Sequence, residues 1–562
     1  MSYPDQYNPD LLDRIPLDAK LVIDIGCATG PLGVEYKRRN PRARVIGVEY
    51  DPAAADVART RLDAVFVADL DRDPMPFAGQ VMPGAVDCLI YGDVLEHLAD
   101  PWGVLRQHAA LLSENGIALI CMPNQEHWSF AERLLRGTWD YEPIGLFDRT
   151  HIRWFSHATT ARLLRGAGLS PIDVIPRVFD AEAVHAFADA MEPALRRLGI
   201  DVLTFRERAA ALQFVWRARR APAPRLPVIS TMLSPVGGVS HVRITEPMQA
   251  LAAEPTLAPR VINHGEDEIG PDEPPGIFIY HRPLLAGAFG LSRVRPLLDR
   301  GWLLVCEFDD HPDYIPVLQR PDLLNFRAVH AVQTSTEPLA DVLRRDNPEV
   351  RVFPNGVARL PDIVNHRTPE RMTMMFAGLN REAEWPPFLD ALNRVAAKVG
   401  ARLHMLIVND RGLFETLETP HKSFLPLCGY DTYQALLASS EISFMPLLDT
   451  PFNRCKSDLK FIEAAAHRVT ALATGATYEA SIADGRTGVL FRSAEELEQR
   501  LLRLVANPDV TRAIGDAARA YVGQERMLAY QIAGRTAWYH DLWSRREALH
   551  RALLERVPEL AG

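Results

Sequence analysis

Leu21-Val-Ile-Asp-Ile-Gly-Cys-Ala-Thr-Gly30 runs from an apolar, β-branched stretch into a glycine-bearing turn, and that junction decides the reading of the fold. A short buried strand that breaks at glycines ahead of a helical pattern opens a βα unit with parallel strands. Glycines there admit positive φ and the close approach of a ligand. Working outward, residues 20–24, 43–48, 86–91 and 116–121 read as buried strands, and Gln213-Phe-Val-Trp216 as a closing edge strand.

The same alternation of short apolar runs and longer helical patterns recurs twice more, from Pro227-Val-Ile-Ser230 and from Arg371-Met-Thr-Met-Met-Phe376. Between the first and second sets lies Arg217-Ala-Arg-Arg-Ala-Pro-Ala-Pro-Arg-Leu-Pro227, which reads as a stiff, solvated linker. The expected division is therefore 1–217, a linker at 218–227, lobes at 228–368 and 369–526, and a helical tail at 527–562. A composition of 47% apolar and 24% charged residues over 562 positions excludes a disordered or fibrous chain. A net charge of −10 argues against a nucleic-acid partner. No apolar run reaches the length of a membrane span, and the start lacks a signal-peptide layout, so a soluble, cytoplasmic protein is expected. The six cysteines form no C-x-x-C pair, which leaves no sequence signal for a metal or disulfide framework.

Nineteen residues beyond Gly30, Glu49 closes the second strand, where a carboxylate is placed to accept both hydroxyls of a ribose. Ala28 stands where a dinucleotide fingerprint needs its second glycine, and Asp24 just before Gly26 suits a cationic ligand better than a pyrophosphate. Asp24-Ile-Gly26-Cys-Ala28-Thr-Gly30, Glu49, Val67-Ala-Asp69, Asp93-Val-Leu-Glu96-His97 and Gly145-Leu-Phe-Asp148-Arg-Thr-His151 occur in this order. The set resembles the class I S-adenosylmethionine-dependent methyltransferases, whose first motif is acidic-x-G-x-G-x-G. The resemblance is to the ubiquinone-biosynthesis type and covers about residues 10–217. It implies S-adenosylmethionine as cofactor, held at Asp24, Gly26, Gly30, Glu49 and Asp69. Methyl transfer is an in-line displacement in which a base strips the acceptor hydroxyl. His97 or His151 is the candidate base, and the sequence does not choose between them.

In the second set Gly237-Gly238 precedes a helical pattern over Val242–Leu251, so backbone N–H groups at the helix start can seat a diphosphate. Lys456, Lys460 and Glu463 fall at i, i+4 and i+7, so one helix face is expected to carry two ammonium groups and a carboxylate. With Phe376-Ala-Gly378-Leu-Asn-Arg381 and Pro354-Asn-Gly-Val357, this stretch resembles the GT-B glycosyltransferases over about 227–530. The implied nucleotide-sugar site comprises Gly237, Gly238, Arg381, Lys456, Lys460 and Glu463. The glutamate pair E-x7-E of that group retains its second member as Glu463, while Cys455 stands at the first. Glu307-Phe-Asp309-Asp310 can be read as a metal-binding D-x-D, but the GT-B setting favours an acceptor-side or structural loop.

The expected fold class is α/β, with three Rossmann-like parallel-sheet units: one class I methyltransferase domain and a two-lobed GT-B glycosyltransferase. The resemblance implies a bifunctional enzyme of bacterial surface glycan or glycoprotein assembly, with a nucleotide-sugar co-substrate, no metal, and a glycan, glycolipid or glycoprotein acceptor. Two alternatives stay open: a glycosyltransferase carrying a degenerate methyltransferase-like binding module, and a non-catalytic assembly scaffold. Trp538, Tyr539 and Trp543 with Arg545, Arg546 and Arg551 admit contact with a membrane surface, although a helix closing back over the lobes is the simpler expectation.

Overall fold

The computed structural model describes residues 5–221, 224–232, 238–263, 265–364 and 371–561. They form two compact units, one holding the chain up to Arg225 with Ala252–Thr256, the other Leu226–Leu251 and the chain from Leu257 onward. Among the described residues no helix is long and apolar enough to cross a membrane.

The first unit contains β1 (Leu21–Ile25), β2 (Arg44–Glu49), β3 (Ala64–Val67), β4 (Val86–Gly92), β5 (Leu112–Pro123), β6 (Ser170–Arg177) and β7 (Gln213–Arg219). Their order is β3-β2-β1-β4-β5-β7-β6. Strands β1 to β5 are parallel, and β7 runs antiparallel to both of its neighbours. Ile23, Ile46, Leu89 and Ile120 on one side and Val22, Val45, Cys88 and Leu119 on the other are buried, because helices cover both faces. Double burial is why these strands read as continuous apolar runs.

Two expectations change here. The segment beginning at Gln213 is an interior strand, and the edge belongs to β6, whose Pro171 and Pro176 speak against a strand in the sequence. An edge tolerates prolines because one side of its ladder needs no donors. At its two ends the stretch from Arg217 to Pro227 is also less solvated than its composition suggests. Strand β7 continues to Arg219, Arg217 is 2% exposed and pairs with Asp173 of β6, and β8 begins at Leu226.

The second unit has two sheets, each parallel throughout its described pairings. The first contains β8 (Leu226–Thr231), β9 (Leu257–Ile262), β10 (Ile277–His281), β11 (Leu303–Glu307), β12 (Ala331–Thr334) and β13 (Val350–Val352), ordered β13-β12-β11-β10-β8-β9. The second contains β14 (Met372–Ala377), β15 (Leu403–Val408), β16 (Lys422–Leu425), β17 (Ile442–Met445), β18 (Thr470–Thr474) and β19 (Val489–Phe491), ordered β16-β15-β14-β17-β18-β19. Both are doubly wound, so the fold is α/β with two Rossmann-like lobes. The tail forms helices Ala529–Ser544 and Arg546–Arg556. Leu553, Val557 and Leu560 join the core of the first lobe, and the Tyr539 hydroxyl donates to Gln333 Oε1 at 2.9 Å. Trp538 and Tyr539 are buried in this closure.

The helical run Gly238–Ala252 contains a π turn at His241–Thr245. It carries Arg243, whose fully buried guanidinium bonds Glu307 at 2.8 and 3.1 Å, the Phe353 carbonyl at 2.7 Å and Asn355 Oδ1 at 2.9 Å. Asn355 Nδ2 in turn donates to Ser457 Oγ at 2.8 Å, so one buried cation organises the joint between the two lobes. Removing one partner of such a pair strands a charge, at a cost of about 3–5 kcal/mol. Arg243→Ala should therefore lower the unfolding temperature of the second unit in calorimetry of the full chain. Adding Glu307→Ala should cost less than the sum of the two single changes.

Candidate active sites

In the first unit β1 ends at Ile25, and the chain turns through Gly26 at φ +74°, Ala28 at +50° and Gly30 at +81° before the helix Pro31–Arg39. A left-handed alanine costs an L-residue about 1–2 kcal/mol. Here the Ala28 N–H donates to Glu49 Oε2 at 2.8 Å, which holds the strained residue in place. Glu49 Oε1 accepts from the Asp51 N–H at 2.9 Å. A carboxylate has about four acceptor sites, so Glu49 can still receive two hydroxyls. Gly26 admits no side chain, since a Cβ there would stand 2.5 Å from Val94 Cγ2.

Asp24 is buried, and loss of solvent, reinforced by the Glu49 charge, raises it to about 7. Asp69 is half-buried just past β3, accepts from the Asp71 N–H at 3.1 Å, and lies 3.3 Å from Arg72 Nε. The Ala68 N–H donates to the Glu49 carbonyl at 3.0 Å. Asp24, Glu49 and Asp69 thus share the carboxyl edge of the sheet, where open α/β folds bind ligands.

The turn after β4 adds Glu96 and His97, and the loop after β5 brings His151 to them. The two imidazoles meet edge to face at 4.8 Å, and His151 Nε2 lies 3.9 Å from Glu96 Oε1. Burial lowers both histidines and raises Glu96. The structure therefore joins the two candidate bases in one cluster instead of selecting one. Glu96 is the member that sequence reasoning missed. Its signal was its place in Asp93-Val-Leu-Glu96-His97, where it reads as motif filler.

In the second unit Gly237 lies outside the described residues, while Gly238 opens the helix and packs on Tyr430, its absent Cβ only 2.9 Å from that ring. Lys456 precedes the helix Leu459–Ala466, so the expected helix face carries only Lys460 and Glu463. The fold still gathers cations. The charge of Arg381 bears on both lysines, and loss of solvent together with Arg381 lowers the half-buried Lys460 to about 8. Lys460 donates to the Ala377 carbonyl at the end of β14.

Two assigned groups are already engaged. Lys456 Nζ pairs with Asp310 at 2.6 Å. Glu463 accepts from the Tyr430 hydroxyl at 2.7 Å, the Tyr433 hydroxyl at 3.2 Å and Gln434 Nε2 at 3.1 Å. Burial raises Glu463 to about 7, and it raises Glu246 to the same region with help from Glu463. Glu307 bonds Arg243, and Asp309 bonds Arg282 at 2.6 Å, so with Asp310 every acid of the loop is ion-paired rather than forming an open D-x-D. Cys455 packs in the core of the first lobe.

Residues 3–174 match the family model of a methyltransferase domain. The ubiquinone biosynthesis O-methyltransferase of Cereibacter sphaeroides is 28% identical over 180 residues, which are 31% of this chain and 70% of that protein. Among solved structures, Anabaena HepE in complex with UDP and glucose aligns with 56% of this chain and all of its own, at 13% identity and a TM-score of 0.39. Staphylococcus aureus TarM aligns with 47% of this chain at 14% identity and a TM-score of 0.37. This chain spans about half, 55%, of the TarM chain.

The raised Asp24 has a pH consequence. The unfolded chain ionises it near 3.8, the folded one near 7, so the stability it contributes is present below about pH 4 and lost as pH rises through about 7. Asp24→Asn should melt with the wild type in acid and above it at pH 8. The expected gap is a few kcal/mol at most, read from ligand-free melting curves across the pH range.

Proposed function

We propose that the chain is a bifunctional transferase, whose first unit moves a methyl group from S-adenosylmethionine to a hydroxyl acceptor and whose second moves a sugar from a nucleotide-sugar donor. The observation that carries this is the turn at Gly26–Gly30, with Glu49 bound to the backbone on one side and free to accept hydroxyls on the other. The relatives named O-methyltransferases support an oxygen acceptor. Arg381 and Lys460, with Lys456 once released from Asp310, support a diphosphate in the second unit. The setting is assembly of a bacterial surface glycan, glycolipid or glycoprotein, in the cytoplasm or at the inner face of the membrane.

The bonds already made by Glu463 and the inward packing of Cys455 favour one second reading. In it the chain keeps methyl transfer and has lost ordinary sugar-donor binding.

Isothermal titration of the full chain with S-adenosylmethionine and with a panel of UDP-, GDP- and dTDP-sugars separates these cases. Hydrogen bonds to a charged group contribute about 1.5–3 kcal/mol each, so Glu49→Ala should weaken the first ligand at least tenfold and leave the second unchanged. Lys460→Ala should do the reverse. Heat from S-adenosylmethionine alone selects the second reading, and no heat from either class rejects both.

A further inference from the structure

The ligand atoms of Glu96, His97 and His151 all lie within 4.8 Å of one another. Glu96 is 2% exposed, and neither of its carboxylate oxygens has a hydrogen-bond partner. A buried polar group left in that state is costly and rare in folded proteins.

The surroundings fix what the imidazoles present to it. His151 Nδ1 lies 3.2 Å from the Leu146 carbonyl, and a carbonyl only accepts, so Nδ1 carries the proton. His97 Nδ1 lies 3.2 Å from the Thr150 carbonyl and 3.1 Å from Thr150 Oγ1. The single Thr150 hydroxyl proton is directed to Asp148 Oδ1 at 2.6 Å, so toward His97 this oxygen also accepts. Both rings therefore offer an Nε2 lone pair. With the carboxyl group, three ligand atoms converge, and neither carboxyl oxygen makes a hydrogen bond to either ring.

A cation fits that convergence. Carbonyls that hold the far nitrogen of a histidine are the usual outer support of a metal ligand. The arrangement is also braced, since the Ile152 and Arg153 N–H groups both donate to the Glu96 carbonyl at 3.0 Å. Ligands about 2.0–2.2 Å from zinc stand about 3.4 Å apart, so capture needs an inward movement of about an ångström.

We propose that Glu96, His97 and His151 bind one divalent first-row transition cation through a carboxylate oxygen and two Nε2 atoms. Zinc is the best match, with three protein ligands and an open position. This departs from the metal-free site expected from the sequence. Val94 packs on Gly26, so the centre stands beside the nucleoside turn. Resting on the methyl-transfer reading, the open position takes the acceptor hydroxyl and its proton passes to solvent. The oxygen lone pair then forms the O–CH3 bond as the C–S bond breaks, with its electron pair going to sulfur and leaving S-adenosylhomocysteine.

The test uses the full chain, stripped with a chelator and titrated with Co2+ alone and then with Zn2+. One Co2+ per chain should bind with visible d–d bands, Zn2+ should displace it, and Zn2+ should raise the melting temperature. Glu96→Gln and His151→Gln should abolish all three signals, while metal-free Glu96→Gln melts no lower than the stripped wild type. If a variant fails to fold, the half-buried His97→Gln replaces it. Absence of binding, or equal binding in the variants, overturns the site. S-adenosylmethionine titrated in parallel keeps the two proposals apart: metal without S-adenosylmethionine sinks the methyl-transfer reading alone, and the converse sinks the metal site alone.

Discussion

Parallel strands sheathed by helices on both faces leave polar chemistry one place to go, the carboxyl ends of the strands. All three sheets obey this constraint. In the first unit it sets Asp24, Glu49, Asp69 and Glu96 along one edge, at or just beyond the ends of β1, β2, β3 and β4. In the second it sets His281 and Glu307 at the ends of β10 and β11, and Arg381 shortly after β14. The glycines at β1 follow from the same geometry. A chain leaving a buried strand for a helix must turn at once, and Val94 occupies the space a side chain at position 26 would need.

Low solvation at those edges makes the partner of each charge decisive. Around the joint of the two lobes every acid of the Glu307–Asp310 loop has a cation within bonding distance, and Arg243 satisfies four acceptors at once. These acids are spent on ion pairs, and the Asp310–Lys456 pair runs from one lobe to the other. The first unit differs: Glu96 is as buried as Glu307, yet neither of its carboxyl oxygens has a hydrogen-bond partner. One arrangement is complete within the protein, and the other leaves a buried acid without a hydrogen-bond partner.

Much of the fold was legible because doubly buried strands must be apolar throughout. Residues 20–24, 43–48, 86–91 and 116–121 are such runs, and each falls on a strand. Strand β6 escaped notice because an edge strand carries polar residues and prolines. Lys456 was misplaced for a related reason: spacing alone continues a helix backward, whereas the chain turns at Ser457-Asp458 before the helix begins. The glycine turn after β1 was legible since glycines, an acid and a strand-end carboxylate keep fixed local spacing. The ligand-like cluster was not, because 54 positions separate His97 from His151 in the sequence, and no local pattern reports their meeting at 4.8 Å.

By itself the sequence determined the elements: which runs are strands, where glycine must break them, and that a carboxylate closes β2. These are local consequences of apolar periodicity and backbone sterics. Only the tertiary structure decided which charges are spent and which are left over. It gave Asp310 to Lys456 and Glu463 to two tyrosines and a glutamine, and left the carboxyl oxygens of Glu96 without a hydrogen-bond partner beside two imidazoles. Whether a buried charge is satisfied depends on groups that arrive from distant strands, and composition cannot express that.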